Sequence, residues 1–115
     1  MKFMCLICAD RMMEHMPPAD ARRHFDEYAE FTRSLAQSGQ LVGLNRLLPP
    51  ETATTVRVRD GETVTAAGPF AGTNEPLGGY YLLEADHLGA AIELASRIPA
   101  ARMGGAVEVR PVIER

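Results

Sequence analysis

Three histidines and two cysteines are the side chains of this sequence best suited to acid–base, metal or redox chemistry. His87 directly follows Asp86, and an imidazole beside a carboxylate can move a proton. The same pair also suits the start of a helix, where Asp86 would cap the first turn. His15 and His24 lie nine residues apart, which matches no compact metal-ligand spacing. We therefore expect no metal site and keep Asp86 and His87 as candidate catalytic residues.

The two cysteines, Cys5 and Cys8, have the C-x-x-C spacing of zinc ribbons and thioredoxin-like redox sites. They lie within residues 2–8, a run that is apolar on both alternating faces and predicts a strand covered on both sides. Positions three apart on a strand point to opposite faces, so the two sulfurs would not converge. We interpret both as buried strand cysteines and expect no cofactor.

Five further residues are candidates for ligand binding. Gly68, Pro69 and Phe70 suit a rigid ligand-binding wall with an aromatic face, and they equally suit a turn that joins two strands. Tyr80 suits a cleft or a dimer contact because its polar tip sits on an apolar ring. Arg110 offers a planar fork to an anionic ligand, or an ordinary ion pair on a strand face.

The elements that position these residues follow from hydrophobic periodicity. A strand over residues 2–8 precedes a helix over 19–38, which Pro18 begins and Gly39 ends. An extended segment over 40–50 follows this helix. The predicted apolar stripe of the helix contains Ala21, Phe25, Tyr28, Phe31, Thr32 and Leu35.

Alternating valines predict a β-hairpin in the middle of the chain. Asp60-Gly61 is the signal of a two-residue type I′ turn, and we expect Val56 and Val58 to face inwards. A strand over 78–85, a helix over 88–98 that Pro99 ends, and a strand over 106–112 complete the chain. The predicted apolar stripe of this second helix contains Leu88, Ala91, Ile92, Ala95 and Ile98.

This order of elements predicts one α+β domain over residues 1–115, a ferredoxin-like sandwich with an extra β-hairpin. In that plan both helices cover the same face of the sheet. The first strand is apolar on its other face as well, so we expect a second copy of the chain to cover it in a homodimer.

The composition argues against several classes of partner. The chain carries 12 basic against 15 acidic residues, a net charge of -3 that gives no electrostatic attraction to nucleic acid or an anionic membrane. No apolar run approaches the ~20 residues that a bilayer-spanning helix requires. We expect a cytoplasmic protein with no nucleic-acid or membrane partner.

Several motifs in order make the chain resemble a known family. The segment "TTVRVRDGETVTAAGPFAGTNEPLGGYYLLEAD", followed by a helix and "PAARMGGAVEVRPV", resembles the bacterial YCII-related proteins of the DGPF-domain branch. Their pattern runs DGPF-A-E-T-K-E, then GGYY, then P-A-A-R-x-G-G and E-V-R-P. The resemblance implies a dimeric α+β barrel with a cleft between the sheet and the loops. It also implies an acid/base His/Asp pair in related proteins and, for the DGPF branch, a regulatory or accessory role beside sigma factors.

Three charged positions of the family pattern are absent from this sequence. Ala67, Gly72 and Asn74 stand where the pattern has Asp, Glu and Lys. By its spacing to Gly39, Tyr28 stands where the YCII-like proteins have their histidine. The resemblance therefore implies that the His/Asp pair is missing here and that Tyr28 is a candidate proton carrier and ligand contact.

Two functional hypotheses follow. The first is a dimer that binds a small molecule in a mostly apolar pocket built from Tyr28, Phe70, Tyr80 and Arg110. The alternative is an acid/base enzyme of the same scaffold, a lyase, isomerase or hydrolase, in which the candidate catalytic residues carry the proton.

Overall fold

The computed structural model describes residues 1–9, 16–70, 72 and 75–114. Within these ranges the chain forms three α-helices and six strands. In chain order they are β1 (Lys2–Cys8), α1 (Pro18–Gln37), β2 (Leu41–Arg46), β3 (Thr54–Arg59), β4 (Glu62–Ala67), β5 (Leu77–Glu84), α2 (Leu88–Ser96), α3 (Pro99–Arg102) and β6 (Ala106–Pro111). A single 3-10 turn over Pro50–Thr52 lies between β2 and β3.

Four of the strands form one antiparallel sheet in the order β2-β5-β1-β6, and β3 pairs with β4 in a separate two-stranded sheet. The predicted α+β class is confirmed. The strand order is compatible with a ferredoxin-like fold in which the β3–β4 hairpin is inserted between the neighbouring strands β2 and β5. Pro111 ends β6 at the sheet edge, where its missing N–H costs no ladder hydrogen bond.

One face of the sheet carries the core. Helices α1 and α2 contribute Phe31, Leu35, Ala91, Leu94 and Ala95, and the sheet contributes Phe3, Cys5, Tyr81 and Leu83. The Phe31 and Tyr81 rings meet edge to face with centroids 5.4 Å apart. The Tyr81 hydroxyl also lies 2.8 Å from Thr32 Oγ1 in a hydrogen bond. Both contacts attach α1 to the middle of the sheet.

The other face of the sheet, here called the open face, carries the alternate side chains. Met4 and Leu6 on β1 and Leu82 on β5 are each only partly buried there. Arg110 and Glu108 on β6 form an ion pair beside them. The open face therefore presents an apolar centre with a charged edge, as the two-sided apolar pattern of β1 predicted.

Helix α1 has the predicted bounds to within a residue, and Gly39 follows it with a φ of +77°. The predicted stripe is wrong at Phe25, which is exposed, while its neighbour His24 is buried. Counting back from Leu35 by 4, 3 and 4 residues gives the helical spacing that points one row of side chains at the sheet. His24 lies on that row, whereas Phe25 is rotated by about 100° from it.

Helix α2 is shorter than predicted, and its exposed side is more apolar. Ala91 and Ala95 are buried as expected, but Leu88 and Ile92 lie on the exposed side. Pro99 does end the helical run of α2, and it also starts α3, since proline suits the first turn of a helix.

The hairpin Thr54–Ala67, here called the arm, confirms the turn prediction and contradicts the prediction for the valines. Asp60 and Gly61 both have positive φ, at 52° and 79°, as a type I′ turn requires. Val56 and Val58 are 59% and 69% exposed instead of buried. The arm extends beyond the sheet, and the radius of gyration of 16.0 Å exceeds the roughly 13 Å of a compact chain of this length.

Strand β2 leaves no room for a side chain at Gly79 of β5. A Cβ on this residue would lie 2.9 Å from the Asn45 carbonyl oxygen, whereas the nearest atom to a Cβ on Gly78 would be 4.0 Å away. We expect Gly79→Ala to lower the free energy of unfolding by about 1–3 kcal/mol through overpacking. Gly78→Ala is the matched control, with a change within about 0.5 kcal/mol. Urea unfolding measures both, and equal effects would contradict the close approach.

Candidate functional site

A cavity of about 700 Å³ lies on the helix side of the sheet, between α1 and the β2–β5 pair. Its walls come from residues 24–33 of α1, from 44–50 at the end of β2 and beyond, and from 76–81 at the start of β5. Leucines and prolines of 44–50 supply most of the apolar wall. Pro50 and Pro76, which flank the hairpin in the sequence, are also part of the cavity wall.

One polar pair in the cavity wall is satisfied, because the Thr32 and Tyr81 hydroxyls share the bond that attaches α1 to β5. Asn45 Nδ2 donates to the Tyr80 hydroxyl at 2.7 Å, but these two side chains are paired on the open face with Leu6. Arg33, also in the wall, is paired with Glu30 at 2.8 Å. These groups therefore have their main hydrogen-bonding capacity in use.

His24 differs from those pairs. It is only 6% exposed, it lines the cavity, and its Nδ1 has no hydrogen-bond partner among the described residues. Its ring meets the Tyr28 ring edge to face, with centroids 5.0 Å apart. An unsatisfied buried polar atom costs about 1–3 kcal/mol, so a bound molecule that bonds Nδ1 would recover that energy.

The electrostatics of the cavity keep both rings uncharged at neutral pH. Burial lowers the pKa of His24; Glu27 opposes this shift, and Arg102 and Arg46 add to it. Burial raises the pKa of the Tyr28 hydroxyl, and a hydrogen bond with the Ala100 backbone lowers it in part. His24 is therefore a neutral imidazole and Tyr28 a protonated phenol.

Arg46 is the cavity-lining cation that has no ion pair within the described ranges. It lies at the end of β2, opposite Gly79 in the register. Its charge acts on both His24 and Tyr28. A guanidinium in this place can receive an anionic group that enters the cavity.

The structure brings together some of the residues predicted to bind a ligand and separates others. Tyr28 lines the cavity. Tyr80 belongs to the strand segment that borders the cavity, but its pairing with Leu6 and Asn45 places its side chain on the open face. Gly68 lies at the base of the arm, where its N–H donates to Ala53 at 2.7 Å and its carbonyl accepts from Thr55.

Three more of the predicted residues, Pro69, Phe70 and Arg110, lie away from the cavity. Pro69 follows Gly68 at the base of the arm, and Phe70 is 80% exposed there. Arg110 lies on the open face, on the other side of the sheet. Asn74 falls outside the described residues.

The predicted catalytic pair lies away from the cavity. Asp86 and His87 are both exposed at the start of α2. The cap is His87 and not Asp86 as predicted: its Nδ1 accepts from the Ala90 N–H at 3.2 Å. The His87 side chain therefore has a structural role at this helix end.

The cysteine and metal interpretations can be checked on the described residues. Cys5 is fully buried and Cys8 is half-buried, and both are free thiols on opposite faces of β1. Burial raises the pKa of Cys5 to about 11, so this thiol is protonated at neutral pH. Within the described ranges no three His, Cys, Asp or Glu side chains form a cation site, and His15 lies outside those ranges.

Sequence reasoning missed His24, Arg46 and the apolar segment 44–50 as parts of one site. The signal for His24 was present, since it shares a helical row with Tyr28, Phe31 and Leu35. Nothing in the local sequence places Arg46 across from α1, because that neighbourhood depends on the pairing of β2 with β5.

Fold and cavity together define the class of this protein: a small α+β domain of ferredoxin-like strand order with a cleft beside its first helix. The chain belongs to the YCII-related family, because the YCII-related domain matches it over residues 1–115. It is 38% identical over 81 residues to an uncharacterized protein of Rhizobium meliloti (strain 1021). That match covers 70% of this chain and 65% of the relative, slightly less than two thirds of the relative's length.

Membrane insertion by a helix has no support in the described ranges. None of the helices there combines the length and the apolar character needed to cross a bilayer.

The burial of His24 predicts a pH dependence of stability. Its folded-state pKa lies below the unfolded value of about 6.5, so the unfolded chain binds more protons as the pH falls. We expect stability to fall between pH ~7.5 and ~5.5, and this loss to be smaller in His24→Gln. His87→Asn keeps a helix cap and removes an exposed imidazole, and should behave like the wild type. Equal pH slopes for His24→Gln and the wild type in urea unfolding would contradict the assignment.

Proposed function

We propose that this protein binds a small, largely apolar organic molecule with one anionic group in the cavity beside α1. The observation that carries the proposal is the buried, unpartnered His24 in the wall of a mostly apolar cavity. Ligand sites in proteins combine an apolar lining with a few convergent polar groups, in volumes of about 300–1,000 Å³. The cavity has this composition and this size.

The polar end of the cavity favours an anionic group on the ligand. Arg46 supplies the positive charge and His24 a hydrogen-bonding nitrogen, and the charge of Arg46 reaches His24. Glu27, the carboxylate whose charge acts on His24, is engaged with Arg102 at 2.8 Å. Leu44, on the same side, begins the apolar wall that would hold the body of the ligand.

Acid/base catalysis in the same cavity is the second candidate. It is favoured by the neutral state of His24, which burial maintains, beside the protonated Tyr28 hydroxyl. A neutral imidazole can accept a proton and a phenol can donate one. Catalysis would therefore require His24 in place of the Asp86–His87 pair expected from the sequence.

We further propose that the chain is a homodimer that pairs through its open face, and that it belongs to the DGPF branch whose motifs it resembles. The partly exposed Met4, Leu6 and Leu82 support the dimer, because an apolar sheet face calls for a cover. A cytoplasmic location and an accessory role beside a sigma factor remain predictions from the sequence.

Two fluorescent probes test the ligand proposal. Anilinonaphthalene sulfonate is apolar and anionic, and N-phenylnaphthylamine is apolar and neutral. We expect both to bind, and Arg46→Gln to weaken the anionic probe about tenfold while leaving the neutral probe unchanged. A tenfold weakening corresponds to the loss of one charge-assisted hydrogen bond to the anionic probe.

Arg110→Gln is the control for this experiment, because Arg110 lies on the other side of the sheet and should leave both affinities unchanged. Equal weakening by Arg110→Gln and Arg46→Gln would contradict the cavity as the anion site. Turnover of any substrate that His24→Gln abolishes, with probe binding retained, would favour the catalytic candidate.

Native mass spectrometry of freshly purified protein tests the dimer and retained ligands together. We expect the mass of two chains, with an added mass where an organic molecule has been carried through purification. A monomer at every concentration would contradict the covered open face.

A further inference from the structure

The two faces of the arm differ completely in charge. The β3–β4 pairing places Thr54, Val56, Val58, Thr63, Thr65 and Ala67 on one face, here called the neutral face. The other face, the charged face, carries Arg57, Arg59 and Glu62 together with Thr55, Val64 and Ala66. All the residues of the neutral face are exposed.

An exposed neutral face is unusual for a solvated hairpin. The solvent side of an antiparallel sheet ordinarily carries charged and polar residues, and valine and threonine fit a half-buried surface. A two-stranded hairpin is also marginally stable in water without something packed against it. At the base of the arm, Phe70 adds a large exposed ring.

We propose that the neutral face of the arm packs on a second copy of this chain and forms part of the dimer interface. This inference rests on the homodimer proposed above and adds to it a second surface, one that contributes nothing to the cavity wall. The arm would be buried by association and not by the folding of its own chain.

Charge favours a second copy as the occupant. A two-fold interface brings the same patch of each subunit into contact, so the patch must tolerate its own copy. Two neutral faces can pack together without burying a charge, whereas two charged faces would bring Arg57 and Arg59 of both copies together. An acidic or basic partner finds no complementary charge on the neutral face.

Contact area links the arm to the homodimer proposed above. Stable interfaces bury about 800 Å² on each partner, more than six small side chains supply. The neutral face therefore needs further contact area, and the apolar open face of the same chain offers it.

Analytical ultracentrifugation of the full chain tests this proposal with two matched substitutions. Val58→Glu introduces a carboxylate on the neutral face, and Val64→Glu introduces the same group on the charged face of the same hairpin. We expect Val58→Glu to raise the dimer dissociation constant about tenfold or more, and Val64→Glu to change it less than twofold. Binding of the neutral probe N-phenylnaphthylamine should be unchanged in both, which verifies that the body of the fold is intact.

A shortened arm tests the inference without introducing a charge. Deleting 56–59 and 62–65 joins Thr55 to Ala66 through the native Asp60-Gly61 turn, because those two residues are paired in the hairpin. We expect this variant to keep the neutral probe's affinity and to dimerise as weakly as Val58→Glu. Equal dissociation constants for Val58→Glu, Val64→Glu and the wild type would overturn the proposal, and so would a monomeric wild type.

Discussion

The contact between Tyr81 and helix α1 determines the arrangement of this domain. The Tyr81 ring packs against Phe31, and its hydroxyl bonds Thr32, so a single side chain of the central sheet engages two adjacent residues of the helix. A buried hydroxyl needs a hydrogen-bond partner, so this bond fixes where the helix lies along the strand. The row of residues from His24 to Leu35 is oriented by this contact.

One half of α1 packs in the core, and the other half lines the cavity. Phe31 and Leu35 are buried in the core, while the preceding turns meet the segment after β2 across an open space. That segment begins where β2 passes close over Gly79, and the prolines at 49 and 50 then direct the chain away from the sheet. The cavity is therefore a result of how β2 ends as much as of how α1 packs.

Local sequence signals were sufficient to predict the helices, strands and turns, but not which parts of the chain pack against them. The turn at Asp60-Gly61 and the end of α1 at Gly39 depend on backbone conformations that few residues adopt, so they could be read directly. Whether Val56 is covered depends on what lies beyond the hairpin, and alternation alone carries no such information. Likewise, Arg46 comes to lie beside His24 only through strand pairing between residues distant in sequence. The cap at His87 was missed because its neighbour is the commoner capping residue.

The arm joins two strands that are already neighbours in the sheet. Its base is closed by the hydrogen bonds of Gly68 with Ala53 and Thr55, and beyond them its backbone pairing is internal to the hairpin. Opening the arm would leave the four-stranded sheet and the core as they are. The arm is thus a separate cooperative unit, which can exchange its amide hydrogens by local opening while the body stays folded. Its length can also vary in evolution without changing the order of the central strands.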